Sequence, residues 1–231
     1  FGSGTPTYLI KMLGKFGVNP SEIGPKQAKA SIFDAPTETM TNIAPLLYQS
    51  GYITIKDYNK ILDLYTLDIP NKEVRLGLME SLLPNYVGNE TPEATTMVAY
   101  LFYDIQNGDM DSALRRLQTF LSTVPYCDNT KYEGHYQQLF YVIFSLLNYY
   151  VDIEVRTPRG RVDVVLRTKT TLYVMELKLD KTAGEAMEQI NLKNYPERFA
   201  LCGLPVVKVA INFDSERCTI GEWKLQTIDK W

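Results

Sequence analysis

Along the first half of the chain, apolar positions recur mostly at helical spacing. Tyr8, Leu9, Met12, Leu13 and Phe16 make one face of a short helix over 5–16, which Gly17 and Pro20 end. Ile43, Leu46 and Leu47 make a second face, stopped by Gly51. The period then changes to two: "YITIKDYNKILDLYTLDIP" contains two β-type runs around Asn59 and Lys60 and predicts a hairpin. Helical spacing returns in "NKEVRLGLMESLL", with Asn71 as cap and Val74, Leu78 and Leu82 inward, and again over about 93–107 and 110–123. Helix, hairpin, helix is the outline of a winged-helix unit, and the same outline serves for packing alone. Its charges are not clustered, and no side chains stand out as readers of base edges.

In "VPYCDNTKYEG", Pro125, Asp128 and Asn129 interrupt the periodicity, so a boundary is expected near Asp128, dividing the chain into 1–126 and 127–231. Beyond it a long helix is expected over 131–148, its face marked by Tyr136, Leu139, Phe140, Ile143, Leu146 and Leu147. Strands follow at about 151–157, 162–167 and 171–179, then a helix over 183–198. The runs "VVKVAINF" and "CTIGEWKL" supply two last strands. The order α-β-β-β-α-β-β predicts an α/β (α+β) unit, a mixed sheet flanked by helices, and excludes a doubly wound nucleotide fold.

Composition narrows the class. An apolar fraction of 45% with 22% charged residues, 16 Tyr and 9 Phe is that of a folded chain able to fill two cores. No apolar run reaches the roughly 20 residues of a membrane span and no secretory leader opens the chain, so a cytoplasmic protein without a membrane partner is expected. The start at Phe1 without Met implies a piece of a longer protein. Cys127, Cys202 and Cys218 are too few and too far apart for a disulfide framework or a zinc knuckle and read as reduced structural thiols. The net charge of −3 excludes a non-specific nucleic-acid coat, though not an enzyme with cations gathered in a cleft. From Cys127 onward 14 basic and 14 acidic side chains balance; residues 1–126 hold the remaining 10 and 13 and hence the whole net charge.

The chemistry concentrates in "GRVDVVLRTKTTLYVMELKL". Alternation along a strand puts Glu176 and Lys178 on one side, and the short Arg167–Thr171 turn brings Asp163 of the preceding strand to the same patch, expected at the edge of the sheet. Burying two carboxylates together is costly unless cations stand beside them, and hard oxygen donors of this kind suit Mg²⁺ or Mn²⁺. A lysine there can orient water and offset charge developing on phosphorus. The alternative from spacing alone is a cross-strand salt bridge of Lys178 with Asp163 or Glu176.

"GRVDVV" followed by "LYVMELKL" resembles the Asp…Glu-x-Lys core of the PD-(D/E)XK nuclease superfamily. More narrowly, "GRVDVVLRTKTTLYVMELKLDKTAGEAMEQINLKNYPERF" resembles the nuclease-like domain that follows an AAA-type ATPase-like domain in many bacterial proteins, and "SGTPTYLI" and "LLYQSGYITIKDY" look like the tail of that ATPase-like region. The resemblance implies a restriction-endonuclease-like fold and metal-dependent hydrolysis of nucleic acid, DNA before RNA. It implies Asp163, Glu176 and the carbonyl of Leu177 as ligands of Mg²⁺ or Mn²⁺, completed by Glu133, and Lys178 as the residue that positions water. Glu133 is also accounted for as a helix N-terminal carboxylate favoured by the macrodipole. Gln189 and Tyr195 match a Gln…Tyr signature on the second helix, Gln189 holding the lysine or a phosphate and Tyr195 packing or contacting the substrate, while Arg161, with Arg159, stands at the mouth as a phosphate contact or a solvated turn charge. His135, the only histidine, makes neither a zinc site nor a catalytic triad by itself.

No G-x-x-x-x-G-K-[ST] run occurs, so ATP binding of the Walker type is not expected of these residues, and any ATPase-like partner domain would lie upstream. A non-catalytic nucleic-acid or protein recognition module that regulates such a domain is the alternative function.

Overall fold

The computed structural model describes residues 7–33, 43–88, 91–124, 134–149, 152–156, 161–192 and 203–228. The chain forms two compact units, Phe1–Leu82 and Leu83–Trp231.

The first unit contains α1 (Thr7–Lys15), β1 (Lys26–Ala28), α2 (Ala44–Gln49), β2 (Thr54–Asn59), β3 (Leu64–Asp68) and α3 (Lys72–Leu82), with 3-10 turns on either side of β1. Its three strands pair antiparallel in the order β1-β3-β2. The expected hairpin is present, and its turn has a local cause: Asn59 Oδ1 accepts from the backbone N–H of Ile61 and Leu62, and the Tyr58 hydroxyl donates to Asp63. Asn71 caps α3 by accepting from Val74 N–H. The inward face of α3 is Leu76, Leu78, Met79 and Leu82; Val74, expected inward, is only half-buried in the first turn.

The second unit holds α4 (Pro84–Val87), α5 (Thr91–Gln106), α6 (Met110–Thr123), α7 (Gly134–Leu146), β4 (Asp152–Arg156), β5 (Arg161–Arg167), β6 (Leu172–Leu179), α8 (Ala183–Leu192), β7 (Val206–Asp214) and β8 (Thr219–Ile228). The five strands lie in chain order, and only the β6–β7 pair is parallel. A parallel pair needs a crossover, and α8 supplies it. The mixed sheet flanked by helices is therefore present. This compact unit takes in α5 and α6, which pack with the sheet. Gln118 Nε2 donates to Ile220 O, the Thr219 hydroxyl donates to Gln118 O, and Trp223 Nε1 donates to Asp111. The expected boundary itself, with Cys127, lies outside the described residues.

Side-chain alternation gives the sheet two covered faces. On one, Phe213 meets Phe140 of α7 edge-on at 5.5 Å, and the Tyr173 hydroxyl reaches Ile105 O of α5. On the other, Leu172, Val174, Val206 and Ala210 pack with Ala186 and Ile190 of α8. β6 is buried along nearly its whole length, as the middle strand of a sheet covered on both sides is. Among the described residues no helix is long and apolar enough to cross a membrane.

Candidate active site

The turn between β5 and β6 fixes the geometry of the site. Thr168 N–H donates to Thr171 O, and the Thr168 hydroxyl oxygen accepts from the N–H of Thr170 and Thr171, which closes the chain over four residues. Arg167 then pairs with Leu172, and counting outward from that pair sets Asp163 directly opposite Glu176 and Arg161 opposite Lys178. The three charged groups Asp163, Glu176 and Lys178 stand on one face. That face lies at the centre of the sheet and not at its edge, since β7 and β8 extend it beyond β6.

Burial sharpens the chemistry. Glu176 is fully buried and Asp163 is 7% exposed, whereas Lys178 is half-buried. Directly opposed residues of an antiparallel pair bring their Cβ atoms to about 5 Å, so two carboxylates share one small, poorly solvated space. Such an arrangement calls for positive charge. Lys178 supplies one cation, and the remaining donor set, carboxylate oxygens only, fits a hard divalent ion better than a soft one. Among the described residues no group of three or more His, Cys, Asp and Glu side chains gathers, so the carboxylate pair is the donor set the described part supplies.

Above this patch lies α8. Thr182 and Glu185 begin it as a reciprocal capping box: Glu185 Oε2 accepts from Thr182 N–H at 2.9 Å, and Thr182 Oγ1 accepts from Glu185 N–H at 3.1 Å. The bond from Thr182 N–H holds the Glu185 carboxyl below its ordinary range. Gln189, half-buried, presents Oε1 to the Lys178 ammonium at 3.4 Å. The structure thus brings Asp163, Glu176, Lys178 and Gln189 together. Leu177 lies between the two charged residues of β6, in register with Val162 and Ile211, with its side chain on the opposite face.

Arg161 belongs to β5, and its side chain is outside the described part. Glu133, Arg159 and Tyr195 lie outside the described residues, and of His135 only the backbone, in α7, is described. The helix expected over 183–198 is described as far as Leu192.

Three polar residues on the same face escape the sequence reading. Asn212 and Glu222 continue the row of Lys178 across β7 and β8, and they accept from the N–H groups of Lys181 and Ala183 at 2.9 and 2.7 Å. Lys208, two residues before Ala210 on β7, donates to Asn191 of α8 at 2.7 Å. Their signal is present in the sequence: "KVAIN" alternates Lys208, Ala210 and Asn212 on one side against Val209 and Ile211 on the other.

The chain is 28% identical over 234 residues to a protein of Azotobacter chroococcum mcd 1 named "Uncharacterized protein in vnfD 5'region"; the match takes in 96% of this chain and 45% of that relative's length. No solved structure matches the chain. Residues 131–223, which contain the carboxylate pair, the lysine and the crossover helix, match the family described as PD-(D/E)XK nuclease superfamily.

Proposed function

We propose that this domain hydrolyses phosphodiester bonds of nucleic acid, with DNA as substrate and Mg²⁺ or Mn²⁺ as cofactor. The observation that carries the reading is the in-register opposition of Asp163 and Glu176, with Lys178 two residues on, inside the stretch that matches a nuclease family. In this reading Asp163, Glu176 and the carbonyl of Leu177 would hold the ion, together with Glu133. Bound there, such an ion would polarise water and offset charge on the scissile phosphate. Lys178 orients that water and offsets negative charge as it develops. Its ammonium is directed by Gln189, which accepts one N–H and leaves the others for water and phosphate. Arg161 and Tyr195 contact the nucleic-acid backbone.

The first unit is read as the end of an ATPase-like region. Its helix, hairpin, helix succession and β1-β3-β2 sheet support a winged-helix-like role there. Such an ATPase-like partner would act on the nuclease domain within one polypeptide.

The test is nicking of supercoiled plasmid by the full chain with Mg²⁺ or Mn²⁺. Cleavage that disappears in Lys178→Ala and Asp163→Ala is the expected result. Absence of cleavage of DNA and RNA with either ion, together with no heat of Mn²⁺ binding, overturns the reading. A second reading, a recognition module without catalysis, draws on the net charge of −3, and predicts nucleic-acid binding that survives Asp163→Ala.

A further inference from the structure

Lys208 is a buried cation for which the proposed chemistry has no use. It stands on β7 at 8% exposure, in register with Val174 and Gln226, on the face that α8 covers. Its ammonium donates to Asn191 Oδ1 at 2.7 Å, and an amide is a neutral partner for a desolvated charge. Burial accordingly holds the Lys208 pKa below its usual range. A methionine would fill similar space without that desolvation, so stability alone does not account for the charge.

The place of the charge does. Asn191 is in the last turn of α8, where the final carbonyls carry partial negative charge that a cation complements. The other end of α8 is held in the opposite sense, by the Glu222 carboxylate on Ala183 N–H and by Asn212 on the N–H of Lys181 just before the helix. These ties run to β7 and β8, strands that carry none of the proposed metal ligands. Between them lies Gln189, whose 3.4 Å contact with Lys178 depends on where the helix sits along the sheet.

We propose that Lys208, acting through Asn191, is a positioning residue that sets α8 along the sheet and so sets Gln189 on Lys178. The proposal rests on the nuclease reading of Asp163, Glu176 and Lys178, and its test keeps the two separate. In the full chain, Lys208→Met and Asn191→Ala are compared with wild type for kcat and KM of Mn²⁺-dependent plasmid cleavage. The side-chain amide signal of Gln189 in the ¹H–¹⁵N spectrum, assigned with Gln189→Glu, is followed alongside. Asn191 is exposed, so its alanine variant leaves the packing intact. Both variants are expected to lower kcat about tenfold at unchanged KM and to move the Gln189 signal, with the double variant no slower than either single.

A wild-type kcat with an unmoved Gln189 signal in either variant overturns the proposal. So does a slow Lys208→Met beside a normal Asn191→Ala, because the effect then does not run through Asn191. If the wild type cuts no nucleic acid, the nuclease reading fails, and the Gln189 signal alone decides the positioning claim.

Discussion

The two faces of the five-stranded sheet are built from the same strands and do different work. Toward α7 and α5, β5 and β6 present Val164, Leu166, Tyr173, Met175 and Leu177, all buried, and β7 adds Val209, Ile211 and Phe213. Toward α8 the same strands present Asp163, Glu176, Lys178, Lys208 and Asn212, with an apolar cluster confined to the other end around Leu172, Val174 and Val206. A single residue step along β6 passes from one regime to the other. One face supplies the burial that stabilises the unit. The second spends part of that stability on charges that water would solvate better.

The comparison is broken most severely at the carboxylate pair. Asp163→Asn and Glu176→Gln are each expected to lower plasmid cleavage by about 10³-fold or more, since each removes a charged group from the proposed metal site. Their stability is expected to go the other way: without added metal, neutralising one of two facing carboxylates relieves repulsion, so the urea midpoint stays level or rises. A joint fall of activity and midpoint would place the pair among ordinary structural contacts. The complementary change on the other face is Phe140→Ala. Phe140 is fully buried against Phe144 and Phe213, and the truncation is expected to lose about 3–5 kcal/mol by urea unfolding. The protein that remains folded should cleave at the wild-type rate per molecule.

Much of the charged face was legible in the sequence because its determinants are local. The run "LYVMELKL" fixes which side Glu176 and Lys178 share, and the threonines of "RTKTT" fix the turn that sets the register. From these two features alone Asp163 comes to lie opposite Glu176. What the sequence did not carry is pairing at a distance. The parallel partner of β6 is β7, which arrives only after α8, so a patch expected at the sheet edge lies at its centre. The grouping of α5 and α6 with the sheet is likewise a matter of distant contacts. Pro125, Asp128 and Asn129 break periodicity, but the bonds that join α6 to β8 span about a hundred residues, as between Gln118 and Ile220, and leave no trace in local composition. Val74 shows a smaller version: its spacing suits the buried face of α3, yet in the first turn the core has not begun, and Leu76 and Met79 fill it.

A change between the faces tests how closely the helix over the charged side is coupled to it. Gln189→Ala removes the acceptor for Lys178 while leaving the carboxylates and the apolar cluster under α8 in place. A fall in kcat of about tenfold is expected, with stability within about 0.5 kcal/mol of wild type, because Gln189 is only half-buried. An equal loss in kcat/KM from a raised KM alone would assign Gln189 to substrate binding, and would remove it from the set that directs the lysine.

The smallest effect is expected where the apolar side of the sheet meets solvent. Asp111 of α6 accepts from Arg115 at 2.7 Å and from Trp223 Nε1 of β8 at 2.9 Å, and the Arg115 guanidinium lies 5.5 Å from the Trp223 ring centre. The bond from Arg115 first, and that from Trp223 second, hold the Asp111 carboxyl below its usual range. A carboxylate whose folded pKa is depressed adds stability above its unfolded value, near 3.9, and loses it as pH falls through the folded value. Thermal midpoints of wild type should therefore exceed those of Asp111→Asn by a small, constant margin between about pH 5 and 8, and the margin should close below about pH 4. Salt should shrink it, since the pair is exposed. A margin that persists unchanged into acid would mean that the asparagine disturbs packing between α6 and β8, and that the charge itself contributes nothing to holding them.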